Sequence, residues 1–145
     1  MSEIEEFDLL KTKVLKYVLY KKRTEYEIRQ KFSENTGNML ENVIEYLKEN
    51  NYINDDKYIE RAVNEYINLK NLSINELKYK LLSKGIDKNK IEDYIYANWD
   101  ELVEYETKSA KAILIKKERT MEKDEIIIFL KKKGYLRETI EECFE

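Results

Sequence analysis

The side chains of this sequence that could take part in chemistry are carboxylates, lysines, tyrosines and one thiol. The sequence has no histidine and a single cysteine, Cys143, so neither a Cys/His zinc cluster nor an internal disulfide can form. Cys143 falls on an apolar stripe, which predicts a buried, inert thiol. Asp55 and Asp56 are adjacent, and neighbouring helix residues point about 100° apart, so helix capping explains this pair better than a metal site. We therefore expect no enzyme activity, no catalytic residue, no metal and no cofactor.

Basic residues are concentrated near the end of the chain. Residues 108–137 hold ten lysines and arginines against four acids, in a chain whose formal net charge is −3. Such a patch could attract phosphates or an acidic protein surface, or it could be an ordinary solvated helix face. The candidate partner-binding residues in and near it are Lys84, Lys116, Lys117, Arg119, Lys131, Lys132, Lys133 and Arg137, and Lys21, Lys22 and Arg23 form a smaller patch.

Twelve tyrosines are interleaved with these lysines, a combination that could stack on the bases of single-stranded nucleic acid. Tyr17, Tyr52, Tyr58 and Tyr66 fall on helical stripes, however, so we expect them at core edges with their hydroxyls in water. Trp99 is expected to be a wedge between helical repeats rather than a partner contact.

The composition favours helices throughout. The 145 residues include no proline and three glycines, and 39% of them are charged, with both signs interspersed. No apolar run approaches the ~18 residues that a membrane-spanning helix needs, and the acidic segment 2–8 is unlike a signal peptide. The sequence therefore predicts a soluble, cytoplasmic, all-α protein.

One helical unit recurs at a spacing of 49 residues. This spacing separates Glu27, Glu76 and Glu125, and likewise Phe32, Leu81 and Leu130. Gly37, Gly85 and Gly134 follow the three glutamates after 10, 9 and 9 residues. We divide the chain into copy one (1–54, after a short acidic tail), copy two (55–99) and copy three (100–145), with three helices each. Such repeats pack on their neighbours, which predicts an elongated, curved, solenoid-like body of either hand that binds an extended partner surface.

The middle helix of each copy has recognisable ends. Thr24 with Glu27, and Ser73 with Glu76, form S/T-x-x-E capping boxes, and a left-handed glycine is expected after the last turn. Copy three has Glu122 in place of the hydroxyl, so its middle helix should begin less firmly, from Asp124 or Thr120. The expected helices are roughly 7–22, 25–35, 39–50, 55–70, 74–84, 88–98, 101–118, 123–133 and 137–144, with Ser109, Ala112 and Ile113 on the inner face of the seventh.

The segment that joins copies one and two resembles a known family signature. Tyr52-Ile53, then Asp55-Asp56, then Tyr58 are similar to the aromatic and aliphatic pair, Asp-Asp and aromatic of the RecX family. Locally, Asn54 or Asp55 is expected to cap the next helix. Lys84-Gly85-Ile86 and Lys132-Lys133-Gly134-Tyr135 extend the resemblance in order over residues ~9 to 145. Asn71 and Ile59 depart from the family, which often has glycine and alanine there.

The resemblance implies three tandem three-helix repeats and a regulatory role. It implies a monomer that binds the groove of the RecA filament on DNA, with weak DNA contact, and that inhibits the recombinase, ATPase and co-protease activities of RecA. Two alternatives remain. A helix that ends at Lys84-Gly85 before another helix has the outline of a DNA-binding helix-turn-helix, although Glu92 and Asp93 oppose it. The repeats alone would also suit a scaffold for some other protein.

Overall fold

The computed structural model describes residues 2–34 and 37–145, which form nine α-helices and no strand. The helices are α1 (Glu3–Tyr20), α2 (Glu25–Lys31), α3 (Asn38–Glu49), α4 (Asp55–Leu69), α5 (Ile74–Ser83), α6 (Lys88–Ala97), α7 (Trp99–Lys117), α8 (Lys123–Lys132) and α9 (Arg137–Cys143). The all-α class expected from the sequence is confirmed. Within the described ranges, no helix has the length and apolar character needed to cross a membrane.

The chain divides into two compact units. Unit 1 comprises Met1–Ile59 and Lys84–Ile86, and unit 2 comprises Glu60–Ser83 and Asp87–Glu145. In unit 1, α1 packs on α3 around a core formed by Leu10, Val14, Val18, Ile28, Leu40, Val43, Ile44, Leu47 and Ile53. In unit 2, α7 packs against α5, α6, α8 and α9, and one core cluster consists of Ala110, Ile126, Leu130, Tyr135, Ile140 and Cys143. The predicted burial of Cys143 is thus confirmed, and burial raises the pKa of its thiol. The boundaries of the three copies stay a prediction.

The middle helices of copies one and two begin as the capping boxes predict. The Thr24 hydroxyl accepts from the Glu27 amide at 3.1 Å, and Glu27 Oε1 accepts from the Thr24 amide at 3.0 Å. Ser73 and Glu76 make the same pair of bonds. In copy three, the helix begins at Lys123, as the expected range 123–133 has it, and not at Asp124 or Thr120. Glu122 is the N-cap and forms a capping box with Glu125, in which its amide donates to Glu125 Oε1 at 3.2 Å, so the box forms without a hydroxyl.

The glycines end the middle helices in two copies but not in the first. Gly85 and Gly134 are the second residues after α5 and α8, and their φ of +77° and +86° would strain a side chain there. Gly37 also has a positive φ, but it is the N-cap of α3. The expected extent of α2 to residue 35 is wrong, because α2 ends at Lys31 after seven residues, and residue 35 itself lies outside the described ranges.

The inner face of α7 differs from its predicted stripe. Ser109 is buried as expected, but Ala112 is exposed and Ile113 is only half-buried. The buried face instead contains Leu102, Glu106, Thr107, Ser109 and Ala110. The prediction differs from the structure because it counted apolar residues, whereas the buried face includes the charged residue Glu106.

Candidate functional site

Two helix ends bring part of the predicted basic patch together. The Lys117 Nζ lies 4.8 Å from the centre of the Phe129 ring, and the Lys133 Nζ lies 5.7 Å from the same ring. Lys117 ends α7 and Lys133 caps α8, so the half-buried Phe129 ring holds two cations that are far apart in sequence. Lys133 also lies 3.7 Å from the Glu76 carboxylate, so its charge is partly balanced. Lys116, Arg119 and Lys132 are exposed and leave their charge available to a partner.

Three other basic residues of copy three, Lys123, Lys131 and Arg137, border a groove between α8 and α9. This groove has a volume of about 690 Å³ and is lined by Lys123, Ile127, Lys131, Tyr135, Arg137, Ile140, Glu141 and Phe144. Arg137 Nε lies 3.1 Å from Glu141 Oε1, so the arginine is already paired along its own helix. The predicted patch therefore divides into a cluster around Phe129 and a groove beside Lys131 and Arg137.

An aromatic ring with two nearby cations is present in the other copies too. In copy one, Arg23 lies 4.1 Å and Lys31 6.0 Å from the Tyr17 ring centre. In copy two, Lys70 and Lys80 lie 6.0 and 5.7 Å from the Tyr66 ring. Each copy thus has a half-buried ring whose open surface is flanked by positive charge, with Phe129 as the ring of copy three.

The tyrosines and the tryptophan follow the sequence expectation in part. Tyr17, Tyr58 and Tyr66 are half-buried, which fits a core-edge position, whereas Tyr52 is 42% exposed. Trp99 is also 42% exposed and lines the groove in which copies two and three meet.

The smaller basic patch of copy one is only partly free. Lys21 and Lys22 are exposed between α1 and α2. Arg23 stacks over Tyr17, and its buried Nε has no hydrogen-bond partner in the described structure. Lys84 is half-buried, and its main-chain carbonyl accepts a hydrogen bond from the Thr24 hydroxyl at 2.7 Å. Hence Lys21 and Lys22 remain the accessible candidates there.

The bond between Thr24 and Lys84 belongs to a joint between copies one and two inside unit 1. The same hydroxyl that caps α2 donates to the Lys84 carbonyl, sixty residues later. The adjacent Gly85 packs so closely on the Tyr26 ring that a side chain there would collide with it. Asp55 Oδ1 accepts from the Glu25 amide at 3.3 Å, which adds a third contact.

Unit 2 contains the same joint between copies two and three. The Ser73 hydroxyl donates to the Lys133 carbonyl at 2.7 Å, again sixty residues away. Asn75 Nδ2 donates to the Gly134 carbonyl at 3.2 Å, and a Cβ on Gly134 would lie 2.8 Å from the Asn75 Cβ. Gly134 is therefore required by close packing as well as by its φ.

A buried carboxylate completes this second joint. Glu106 is fully buried, and its two oxygens accept from the Ile74 amide and the Leu136 amide, each at 2.8 Å. One side chain of α7 thus satisfies the first amide of α5 and the amide that precedes α9. Beside it, the Tyr105 hydroxyl donates to the Lys70 carbonyl at 2.6 Å and accepts from the Leu72 amide at 2.9 Å.

These joints reassign the residues of the sequence signature. Asn54, not Asp55, caps α4, since Asn54 Oδ1 accepts from the Lys57 amide at 3.1 Å, while Asp55 bonds to copy one. Ile53 is buried in the core of unit 1, and Asp56 is exposed. Sequence reasoning missed Glu106. Its signal is a glutamate one helical turn after Leu102 and one before Ser109 and Ala110 on the buried face.

The described residues contain no group of three or more histidine, cysteine or acidic side chains that could hold a metal ion. The clearest electrostatic feature of unit 1 is an exposed network, in which Arg29 lies 2.8 Å from Glu41 Oε1. The hydrogen bond from Arg29 lowers the pKa of Glu41, and Glu25 raises the pKa of Lys48. Such solvent-exposed ion pairs contribute little to stability.

No family model matches the chain. Among curated proteins, the chain is 33% identical over 140 residues to the regulatory protein RecX of Clostridium perfringens (strain 13 / Type A). The matched region covers 90% of this chain and 65% of that protein. It is 32% identical over 107 residues to the regulatory protein RecX of Lactococcus lactis subsp. lactis (strain IL1403), and this region covers 70% of this chain and 40% of that protein. The chain thus spans less than two thirds of the length of these relatives, whose names describe regulators and not enzymes.

Two solved structures have the same fold. The crystal structure of RecX from Lactobacillus salivarius matches with a TM-score of 0.81 and 24% identity over 97% of this chain and 96% of that chain. A second crystal structure, of regulatory protein RecX, matches with a TM-score of 0.81 and 23% identity over 94% and 72%. At this identity the likeness concerns the fold alone.

Proposed function

This chain belongs to the RecX family of regulatory proteins, and on that premise we propose that it binds the groove of the RecA filament on DNA and inhibits RecA. The activities affected would be strand exchange, ATP hydrolysis and the co-protease activity, so the processes are DNA repair, recombination and the SOS response. The proposal includes a cytoplasmic location and a monomeric chain. The observation that carries it is the match to regulatory protein RecX at 33% identity over 140 residues.

The repetition of the chain supports a filament as the partner. A filament presents the same surface on each protomer, and a chain with three similar copies can meet that surface more than once. Linked contacts of this kind raise the overall affinity without any single strong site. Each copy has one aromatic ring with two nearby cations, at Tyr17, Tyr66 and Phe129, although Phe129 stands at the repeat position of Lys31 and Lys80. We assign these three clusters to contacts with the filament.

Inhibition requires only that the chain binds one filament state better than another. Nucleotide hydrolysis would remain the work of RecA. The positive patch of copy three would strengthen the encounter with an acidic protein face or with DNA phosphates, and either contact weakens as salt is raised.

The test is co-sedimentation with RecA filaments on single-stranded DNA, together with RecA ATPase and strand exchange. We expect the wild-type chain to sediment with the filaments and to lower both activities. The double variant Lys116→Glu/Lys132→Glu should bind at least about tenfold more weakly, because both side chains are exposed and unpaired in the described structure. The matched control is Lys13→Glu/Lys16→Glu, which makes the same charge change at two exposed positions of α1 and should bind normally.

Failure of the wild-type chain to bind at low salt, with unchanged ATPase, would remove the proposal. If both double variants bind as tightly as wild type, the assignment of the basic patch is wrong although the partner stands.

The helix-turn-helix alternative is less well supported by the residues around α6. Glu92 lies 3.2 Å from the Lys78 Nζ and 3.8 Å from the Lys88 Nζ, so it neutralises two of the lysines that duplex DNA would need. Titration against duplex DNA without RecA separates the two functions. Sequence-selective binding in that titration would favour the alternative.

A further inference from the structure

The groove between α8 and α9 has an apolar floor and a positive rim. Ile127, Ile140 and Phe144 form the floor, and Lys123 and Lys131 stand at the rim. Arg137 and Glu141 also line it, but they pair with each other at 3.1 Å. Among the described residues, neither Lys123 nor Lys131 forms an ion pair. The nearby acids Glu122 and Asp124 do not line the groove.

Copy two has the corresponding groove between α5 and α6, and there the chain itself helps to cover it. Positions 74, 78, 92 and 95 of copy two correspond, at the 49-residue spacing, to positions 123, 127, 141 and 144 of copy three. The groove of copy two has a volume of about 290 Å³, and Gly134 and Leu136 of copy three form part of its lining. Its natural cover is thus a short segment that brings an apolar side chain.

The groove of copy three is built for a different kind of cover. Thr24 and Ser73 donate their hydroxyl hydrogens to a carbonyl of the following copy, whereas the exposed Glu122 at this position has no such hydrogen when ionised. Lys123 stands where copy two has the buried Ile74, and Lys131 where it has Leu82. These changes put two positive charges where copy two has apolar side chains, while Ile127 of the floor stands where copy two has Lys78.

We infer that the α8–α9 groove binds a short segment of a partner protein that places an apolar side chain on the floor and carboxylates against Lys123 and Lys131. The opposite charges favour an acidic segment, and the floor needs an apolar side chain, which a phosphate backbone lacks. A groove between two helices suits an amphipathic helix with apolar residues at i, i+3 and i+4. The inference goes beyond the RecA proposal and does not depend on it.

The test uses the full chain and a synthetic helical peptide with leucines at i, i+3 and i+4 and glutamates between them. Binding is followed by NMR on isotope-labelled protein. We expect shifts of the Ile127 and Ile140 methyl signals, with those of Ile28 and Ile44 in unit 1 unchanged. A peptide with every glutamate changed to glutamine, and one with every leucine changed to serine, should each bind at least about tenfold more weakly.

The matched protein variants are Lys123→Glu/Lys131→Glu and the control Lys13→Glu/Lys16→Glu. All four lysines are exposed, so both proteins should fold, which circular dichroism checks. The first should lose at least about tenfold in peptide affinity and the control should lose none.

Equal affinity of the glutamine peptide, or full binding by Lys123→Glu/Lys131→Glu, would overturn the inference, as would the absence of shifts. A single-stranded oligonucleotide that moves the same methyl signals more strongly than the peptide would also overturn it, in favour of nucleic acid. Shifts that appear on concentrating the protein alone would assign the groove to a second copy of this chain. None of these outcomes depends on whether the chain binds RecA.

Discussion

Replacing Glu106 by glutamine tests whether a buried carboxylate holds the joint between copies two and three. Glu106 accepts two main-chain hydrogen bonds, from the Ile74 and Leu136 amides at 2.8 Å, and it has no access to solvent. Glutamine has nearly the same shape, but one of its two terminal groups is a donor. Glu106→Gln therefore leaves one of the two amides facing another N–H group.

The expected cost follows from these two bonds. A hydrogen bond to a charged group contributes roughly 1.5–3 kcal/mol, and a buried donor without a partner costs roughly 1–3 kcal/mol, with overlap between the two figures. The second bond is kept but becomes a weaker, neutral one. We expect Glu106→Gln to lower the free energy of unfolding by about 3 kcal/mol, which corresponds to a fall in Tm on the order of 10 °C.

Urea unfolding gives the global value, and hydrogen exchange gives the local one. The Ile74 and Leu136 amides should exchange faster in Glu106→Gln, while the Ile28 amide in unit 1 should not change beyond the global effect. Glu104→Gln is the matched control, since Glu104 is exposed on the same helix and only pairs with Lys108 at 3.4 Å. It should cost less than about 0.5 kcal/mol. If Glu106→Gln is as stable as this control, Glu106 does not hold the joint.

Two further predictions concern the same region. Ser73→Ala removes the N-cap of α5 and the hydrogen bond to the Lys133 carbonyl, so it should lower the free energy of unfolding in urea by about 1–3 kcal/mol. Ser73→Thr keeps the hydroxyl and should lower it less. Equal losses in the two variants would contradict the role of the hydroxyl. Burial raises the pKa of Tyr94, Tyr105 and Tyr135 above the ordinary tyrosine value of 10.0, so the folded state favours the neutral phenols. This contribution to stability is complete below pH 10 and is lost as the pH rises through the folded-state pKa values, so the free energy of unfolding should fall above pH 10. Some tyrosines should also titrate at a higher pH in the folded chain than in urea. Coincident titration curves for the folded and unfolded chain would refute this prediction.

Much of the fold can be read from the sequence, because each helix carries its own signals. Apolar spacing places Val14 and Val43 in the core, and the capping boxes at Thr24 and Ser73 fix where α2 and α5 begin. The end of α2 could not be read in this way. Gly37 repeats the spacing of Gly85 and Gly134, but its positive φ serves the start of α3, and spacing alone does not distinguish the two uses of glycine.

The candidate site was harder to predict, since its geometry depends on residues far apart in sequence. Charge counting identifies Lys117 and Lys133 but not the Phe129 ring that lies near both. A glutamate within a helix is normally solvated, so its position between Leu102 and Ala110 was too weak a signal to place Glu106 in the core. The bonds from Thr24 to Lys84 and from Ser73 to Lys133 join residues sixty positions apart and appear only in the folded chain.

These joints also change where partner contacts should be sought. Asp55, Gly85 and Gly134 belong to the recognisable signature, yet each one is engaged in closing one copy against the next. A substitution at one of these residues would destabilise the chain and thereby lower its affinity for a partner. That lower affinity could be mistaken for the loss of a direct contact with the partner. Residues that hold no joint, such as Lys123 and Lys132, can be changed without opening one, so they test recognition separately from stability. Partner binding should therefore be measured on variants of these exposed lysines, and the free energy of unfolding on variants of the joint residues. The two sets of measurements distinguish residues that recognise a partner from residues that stabilise the contact between copies.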